Sequence, residues 1–183
     1  LSDQITDFVS LGEFRLSREL RIRQMLKVVT TTTTDNLIGL PVDFLEMRDI
    51  HLITNPIASL SYNTPNAFYK DTQVTQAGKP KFYTILSSEI QLSPYPDSEY
   101  SLQMLYYARP QQMSESNPSN VWLNVCPDAL LYAALGEAEP YLMNDDRLAT
   151  WAALYDRSIN ALNIADHSSE HSGQPISMSY NVR

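Results

Sequence analysis

The sequence predicts an α+β chain. A helical bundle, made of an N-terminal helix and a C-terminal helix pair, carries an inserted antiparallel β-rich module and an extended C-terminal arm. Three observations lead there. Residues 127–166 hold two apolar stripes at helical spacing, split by a proline and an acidic restart. Residues 26–109 are rich in β-branched and alternating stretches punctuated by turn signals. Residues 3–22 hold a third helical stripe, and a stripe needs a partner face, here another helix. The expected boundaries are 1–25 for the first helix, 26–109 for the β-rich insertion, 110–126 for a linker with a helical turn, 127–167 for the helix pair and 168–183 for the arm.

The first helix places Ile5, Phe8, Val9, Gly12, Leu16 and Leu20 on one face. Arg15, Arg18 and Arg21 flank it. Five of the thirteen basic residues fall between Arg15 and Lys27. Two roles suit them. One is a solvated face with Arg15–Glu19 and Glu19–Arg23 pairs, worth ~0.3–0.5 kcal/mol each. The other is a docking or DNA-facing patch. Arg23 would turn onto the apolar stripe if the helix continued, so the helix is expected to end there, or Arg23 to meet Glu137 or Glu139.

From Leu26 the chain changes character. Val28, Val29 and five threonines favour an extended strand. Asp35-Asn36 and Leu40-Pro41 break the chain. Met47–Ile53 and Ala58–Tyr62 read as strands around the Asn55-Pro56 turn. Pro65–Lys70 reads as one short helix after the Thr64 cap. Lys81–Ser87, the short Glu89–Leu92 and Glu99–Ala108 read as a meander rich in tyrosine, with Tyr100, Leu102, Met104, Tyr106 and Ala108 on one face. Pro110–Asn120 reads as a linker, and Trp122 falls in a helical turn.

The helix pair starts at Pro127, suited to a first helical position. Leu130, Leu131, Ala134, Leu135, Ala138, Tyr141 and Leu142 form its first stripe, and Pro140 should kink or end that helix. Asn144-Asp145-Asp146 restarts the chain as a cap. Leu148, Trp151, Ala152, Tyr155, Ile159 and Leu162 form the second stripe. Beyond it, Ile176, Met178, Tyr180 and Val182 alternate with polar residues. Gly173 and Pro175 precede them as a hinge. Alternation suits an arm laid on a partner's sheet edge or groove.

Composition narrows the function. The 183 residues carry a net charge of −8, which argues against wrapping nucleic acid. Charged residues make up 19%, and a surface so rich in Ser, Thr, Asn, Gln and Tyr suits protein–protein contact. One cysteine excludes an internal disulfide framework and suits a reducing compartment. No bilayer-length apolar run and no signal-peptide pattern stand out.

Enzymatic chemistry finds little support. His167-x-x-Glu170-His171 matches a metallopeptidase pattern. It lies where a helix should fray, and no Glu, Asp, Cys or His follows to complete a zinc shell. Glu137 and Glu139 are two residues apart on a helix and diverge. Cys126 paired with His51 is a weaker candidate than a small buried hydrophobe. There is no phosphate-cradling glycine loop and no nucleophile elbow. No catalytic residue, metal or cofactor is expected.

Three stretches resemble a known family: Leu40–Arg48, Gln91–Pro110 and Pro127–Asp146. Together they are similar to the head-to-tail adaptor, or connector, proteins of tailed bacteriophages, from the first helix to about Ala165. The resemblance implies a structural virion protein, made in the host cytoplasm and placed in the neck. It implies a ring of about twelve copies beneath the portal, extending the DNA channel and meeting tail or nozzle proteins. Double-stranded DNA would pass without tight binding, and no membrane partner is implied. The expected contact residues are Arg15, Arg18, Ile176, Met178, Tyr180 and Val182, with the arm docked on the portal protein or a neighbouring copy. The alternative is a small-molecule or glycan-binding module using the Tyr-rich β face.

Overall fold

The computed structural model describes residues 2–71, 77–142 and 147–171. The chain divides into two compact units, one of residues 1–24 and 110–183 and one of residues 25–109. The class is α+β, with helices from the two chain ends in one unit and two sheets in the other.

In the helical unit, α1 spans Ser2–Glu19, α3 Val121–Val125, α4 Pro127–Leu142 and α5 Leu148–His171. α1 and α4 run antiparallel. Gln4 Nε2 donates to Tyr141 Oη at 2.7 Å, the Phe8 ring lies 5.6 Å from that of Tyr141, and Gly12 faces Ala133 and Ala134. A Cβ on Gly12 would lie 3.0 Å from the Ala134 nitrogen and 3.3 Å from the Ala133 Cβ. Only a residue without a side chain lets the backbones meet this closely. The inner face of α4 is correspondingly small, with Ala129 and Ala133 fully buried beside Leu130 and Ala138.

That close approach corrects the expected first stripe. Leu131 and Tyr141 are 55% and 54% exposed, while Ala129 and Ala133 take the inner positions. The second stripe is corrected too. Tyr155 is buried, Trp151, Ile159 and Leu162 are half-buried, and Leu148 and Ala152 are exposed. The buried tryptophan is Trp122, in α3. Asn120 caps that helix, its Oδ1 accepting from Leu123 N–H at 3.1 Å. Pro140 sits in the last turn of α4, and the helix ends two residues later at Leu142.

α5 runs parallel to α1, since Tyr155 meets Glu19 and Asp166 meets Arg23 further along both chains. It continues through His171 rather than fraying at His167, so residues 168–171 of the expected arm are helical. The rest of the arm, with Ile176, Met178, Tyr180 and Val182, lies outside the described residues, as do residues 143–146 of the expected restart.

Among the described residues the second unit holds eight strands: β1 Leu26–Thr33, β2 Leu37–Gly39, β3 Phe44–Leu52, β4 Ala58–Ser59, β5 Ser61–Tyr62, β6 Phe82–Leu86, β7 Glu89–Ser93 and β8 Tyr100–Ala108. A short helix, α2, spans Pro65–Asp71. One sheet has the order β1-β8-β3-β4 and the other β2-β7-β6-β5. Pairings are antiparallel except β5 with β6. Both sheets feed one core: Ile50, Leu52, Leu102, Met104, Tyr106 and Ala108 from the first, Ile38, Tyr83, Ile90 and Leu92 from the second.

The expected meander does not form. β6 and β7 make a hairpin, but β8 leaves for the other sheet and lies between β1 and β3. Its alternate residues need an apolar face, and the β1 register from Leu26↔Tyr107 to Thr33↔Tyr100 supplies a full-length partner. The expected strand over Ala58–Tyr62 splits at Leu60, whose buried side chain joins the core while β4 pairs with β3 and β5 with β6. β2 falls between the expected breaks at Asp35-Asn36 and Leu40-Pro41, where no strand was expected.

Truncating the two tryptophans separates core from flank. Trp122→Ala is expected to lose about 3–5 kcal/mol, the usual loss for a fully buried large aromatic. Trp151→Ala should lose clearly less, since its ring is only half-buried. Urea unfolding of both variants checks the order, and the reverse order would overturn the packing described.

Candidate functional site

Each side of α1 does something different. Its inner side carries Gly12, Leu16 and Leu20, and also two polar residues, Glu13 and Ser17, that are 2% and 5% exposed. Ser17 Oγ donates to the Glu13 carbonyl at 2.8 Å. Glu13 Oε1 accepts from the Asn120 side-chain amide and from Met113 N–H at 3.2 Å. One carboxylate thereby ties residues 113–120 to the middle of α1. Burial pushes its pKa up, opposed by the bonds from Met113 and Asn120.

The side toward α5 is held by Arg15, Glu19 and Tyr155. The Arg15 guanidinium lies 4.1 Å over the Tyr155 ring and pairs with Glu19 at 3.1 Å. Tyr155 Oη donates to Glu19 Oε2 at 2.6 Å. Burial and this bond push the Tyr155 phenol far up. Arg23 pairs with Asp166 at 3.4 Å, rather than with Glu19, Glu137 or Glu139, because α1 has ended and α5 runs on beside it.

The third side faces solvent. Leu11 is 47% and Phe14 42% exposed. Arg18 beside them is exposed and makes no bond or ion pair among the described residues. Around the corner, Ile5, Thr6, Val9 and Ser10 form a groove of about 320 Å³ with Met113, Ser114 and Glu115.

The expected contact residues therefore separate. Arg15 is committed to Tyr155 and Glu19 inside the subunit, Arg18 is open, and the four arm residues lie outside the described residues. Sequence reasoning missed Glu13, Leu11 and Phe14. Glu13 had a faint signal, its position between Gly12 and Leu16 on the inner side. Leu11 and Phe14 had a plain one: two large apolar residues off the stripe.

The enzymatic candidates take structural places. The Cys126 thiol is 3% exposed and pushed up to about 11, by burial first and then by Asp128. Glu139 is buried and its Oε1 accepts from Trp151 Nε1 at 2.8 Å. His167 and Glu170 are exposed on α5. Among the described residues no group of three or more His, Cys, Asp or Glu is placed to hold a metal. Tyr83, Tyr106 and Tyr107 are 8%, 1% and 9% exposed; Tyr83 and Tyr106 join the β unit's core, while Tyr95 stays exposed. No helix among the described residues is long and apolar enough to cross a membrane.

Comparison with known families settles the class. The family described as SU10 adaptor protein matches residues 1–178. The chain belongs to the SU10 adaptor protein family. Nothing among curated proteins matches it. Membership makes it a phage structural adaptor, in keeping with the resemblance carried by Leu40–Arg48, Gln91–Pro110 and Pro127–Asp146.

The raised pKa of Glu13 sets a pH dependence. The folded state holds a proton there more tightly than the unfolded chain, whose ordinary value is 4.5. The stability this group contributes is therefore fully present below 4.5 and lost as pH rises through the folded value. Glu13→Gln removes the titration and keeps an acceptor. Relative to wild type, the variant should gain stability between about pH 4 and pH 7. Urea unfolding at both pH values checks this, and a pH-independent difference would overturn it.

Proposed function

We propose that this SU10-family adaptor forms a homo-oligomeric ring of about twelve copies in the virion neck. It joins the capsid portal to the tail and extends the DNA channel. The observation that carries this reading is the family match, which runs through both units to residue 178. Two features support it. The helical unit leaves large apolar side chains on its outside, Leu11, Phe14, Leu131 and Ile164 among them, as a subunit of an assembly does. The net charge of −8 suits a channel through which DNA slides, because holding phosphates needs neutralising cations. The segment with Ile176, Met178, Tyr180 and Val182 serves as an arm on the portal or on a neighbouring copy, and the open Arg18 side of α1 serves packing or portal docking. The burial of Tyr83, Tyr106 and Tyr107 weighs against the glycan or small-molecule reading.

The test measures mass in solution, alone and with portal rings from the same phage. Ring-sized particles bound to portal are expected, with negligible affinity for duplex DNA at physiological salt. A protein that stays monomeric in both settings, or binds DNA tightly and salt-sensitively, overturns the reading. Removing residues 172–183 should leave the melting temperature nearly unchanged and impair portal attachment. Attachment equal to the full chain's would remove the arm from the mechanism.

A further inference from the structure

We infer that the solvent side of α1 is the contact surface for α5 of a second copy of this chain, with Arg18 meeting Asp156 across the joint. The inference rests on the ring reading above.

A helix advances about 100° per residue, so residues seven apart share a side. On α1 the side opposite Gly12, Leu16 and Leu20 carries Leu11, Phe14 and Arg18, all exposed. On α5 the exposed flank within about a third of a turn of Tyr155 carries Ala149, Ala152 and Asp156, with Ala153 beside them, while Arg157 lies a further ~100° round. One surface presents two large apolar side chains followed by a cation. The other presents alanines followed by an anion. Neither Arg18 nor Asp156 has a hydrogen bond or ion pair among the described residues.

The spacings agree. Leu11 to Arg18 and Ala149 to Asp156 are both seven residues, about 10 Å of helix. Setting Leu11 over Ala149 brings Phe14 to the Ala152–Ala153 step and Arg18 to Asp156. This register requires the two helices to run parallel. Within one subunit α1 and α5 are parallel, since Glu19 meets Tyr155 and Arg23 meets Asp166. Rotation about a ring axis leaves the direction of a helix along that axis unchanged. Where α1 and α5 run along the ring axis, α1 of one copy and α5 of the next therefore stay parallel. Two unlike surfaces on one chain make a head-to-tail contact, the kind that closes rings. Opposite charges at its edge fix the register and suppress slipped pairings.

The test is a charge exchange in the full-length chain, read as the ring fraction by mass photometry, alone and on portal rings. Arg18→Asp and Asp156→Arg should each lower that fraction about ten-fold, because like charges then face each other. The double variant should restore it. Leu11→Asp is a second probe and should disrupt assembly without changing the melting temperature, since the side chain points away from the subunit core. Single variants that assemble like wild type, or a double variant that stays impaired, overturn the inference while the ring reading stands. Leu11→Asp rings that form normally but no longer attach to portal also overturn it, and reassign the surface to the portal. A wild-type chain that forms no ring under either condition overturns the ring reading, and this inference with it.

Discussion

The close approach of α1 and α4 at Gly12 is the constraint on which the helical unit depends. With a Cβ position only 3.0 Å from the Ala134 nitrogen, a side chain there would press on the α4 backbone more tightly than side chains ordinarily do. That contact joins the first helix of the chain to one that begins more than a hundred residues later. It therefore decides that residues 1–24 and 110–183 make one unit. The intervening segment must leave and return, and its own pairing makes that easy. Leu26 lies opposite Tyr107 in the β1–β8 ladder, so both ends of the insertion emerge side by side. Thereafter each unit completes its own core, one with alanines and glycine at a tight helix crossing, the other with branched and aromatic residues between two sheets.

Polar groups then set what apolar packing leaves free. A buried carboxylate is costly unless its oxygens find donors, and Glu13 finds the Asn120 amide and Met113 N–H. The same Asn120 caps α3 through its Oδ1, so one side chain both starts a helix and satisfies the buried acid. In the β unit Asp43 plays the comparable part. Burial opposes its charge, but the bonds from Lys27 and Tyr106 outweigh burial and hold the carboxyl below the ordinary value. Tyr106 is in turn pushed up to about 12, by burial and then by Asp43.

Much of this was legible in the sequence where a pattern had one physical meaning. The alternation from Tyr100 to Ala108 places its inward residues as read, because a strand admits only period two. The α1 stripe gave Leu16 and Leu20 for the same kind of reason. Legibility failed where geometry between elements decided. Nothing local in Leu130-Leu131 says which leucine faces inward. The Gly12 contact decides it, and so puts Ala129 and Ala133 inside and Leu131 out. Strand pairing failed likewise: β8 follows β7 in the chain but joins the other sheet, since β1 and β3 offer it longer ladders than β7 does. Of the contact residues, Arg15 and Arg18 were both read on the solvent flank; Arg18 is exposed, while Arg15 is stacked on Tyr155. Only the arrival of α5 separates them.

The same distinction bears on assembly. A side chain that packs within the subunit cannot also be spent on a partner, and the structure sorts α1 on that basis. Arg15 and Glu19 are consumed by Tyr155, Arg23 by Asp166 and Glu13 by Asn120. Leu11, Phe14 and Arg18 remain. Large apolar residues kept on the solvent side of a helix contribute nothing to the monomer's core and lower its solubility. Their presence in a structural adaptor is understandable if another surface covers them. Arg18 adds an exposed cation to the same side. Association driven by apolar contact and steered by opposite charge needs no site of chemical reactivity. A chain whose titratable groups serve caps, buried ties and edges has the economy of a part built to be fitted between others.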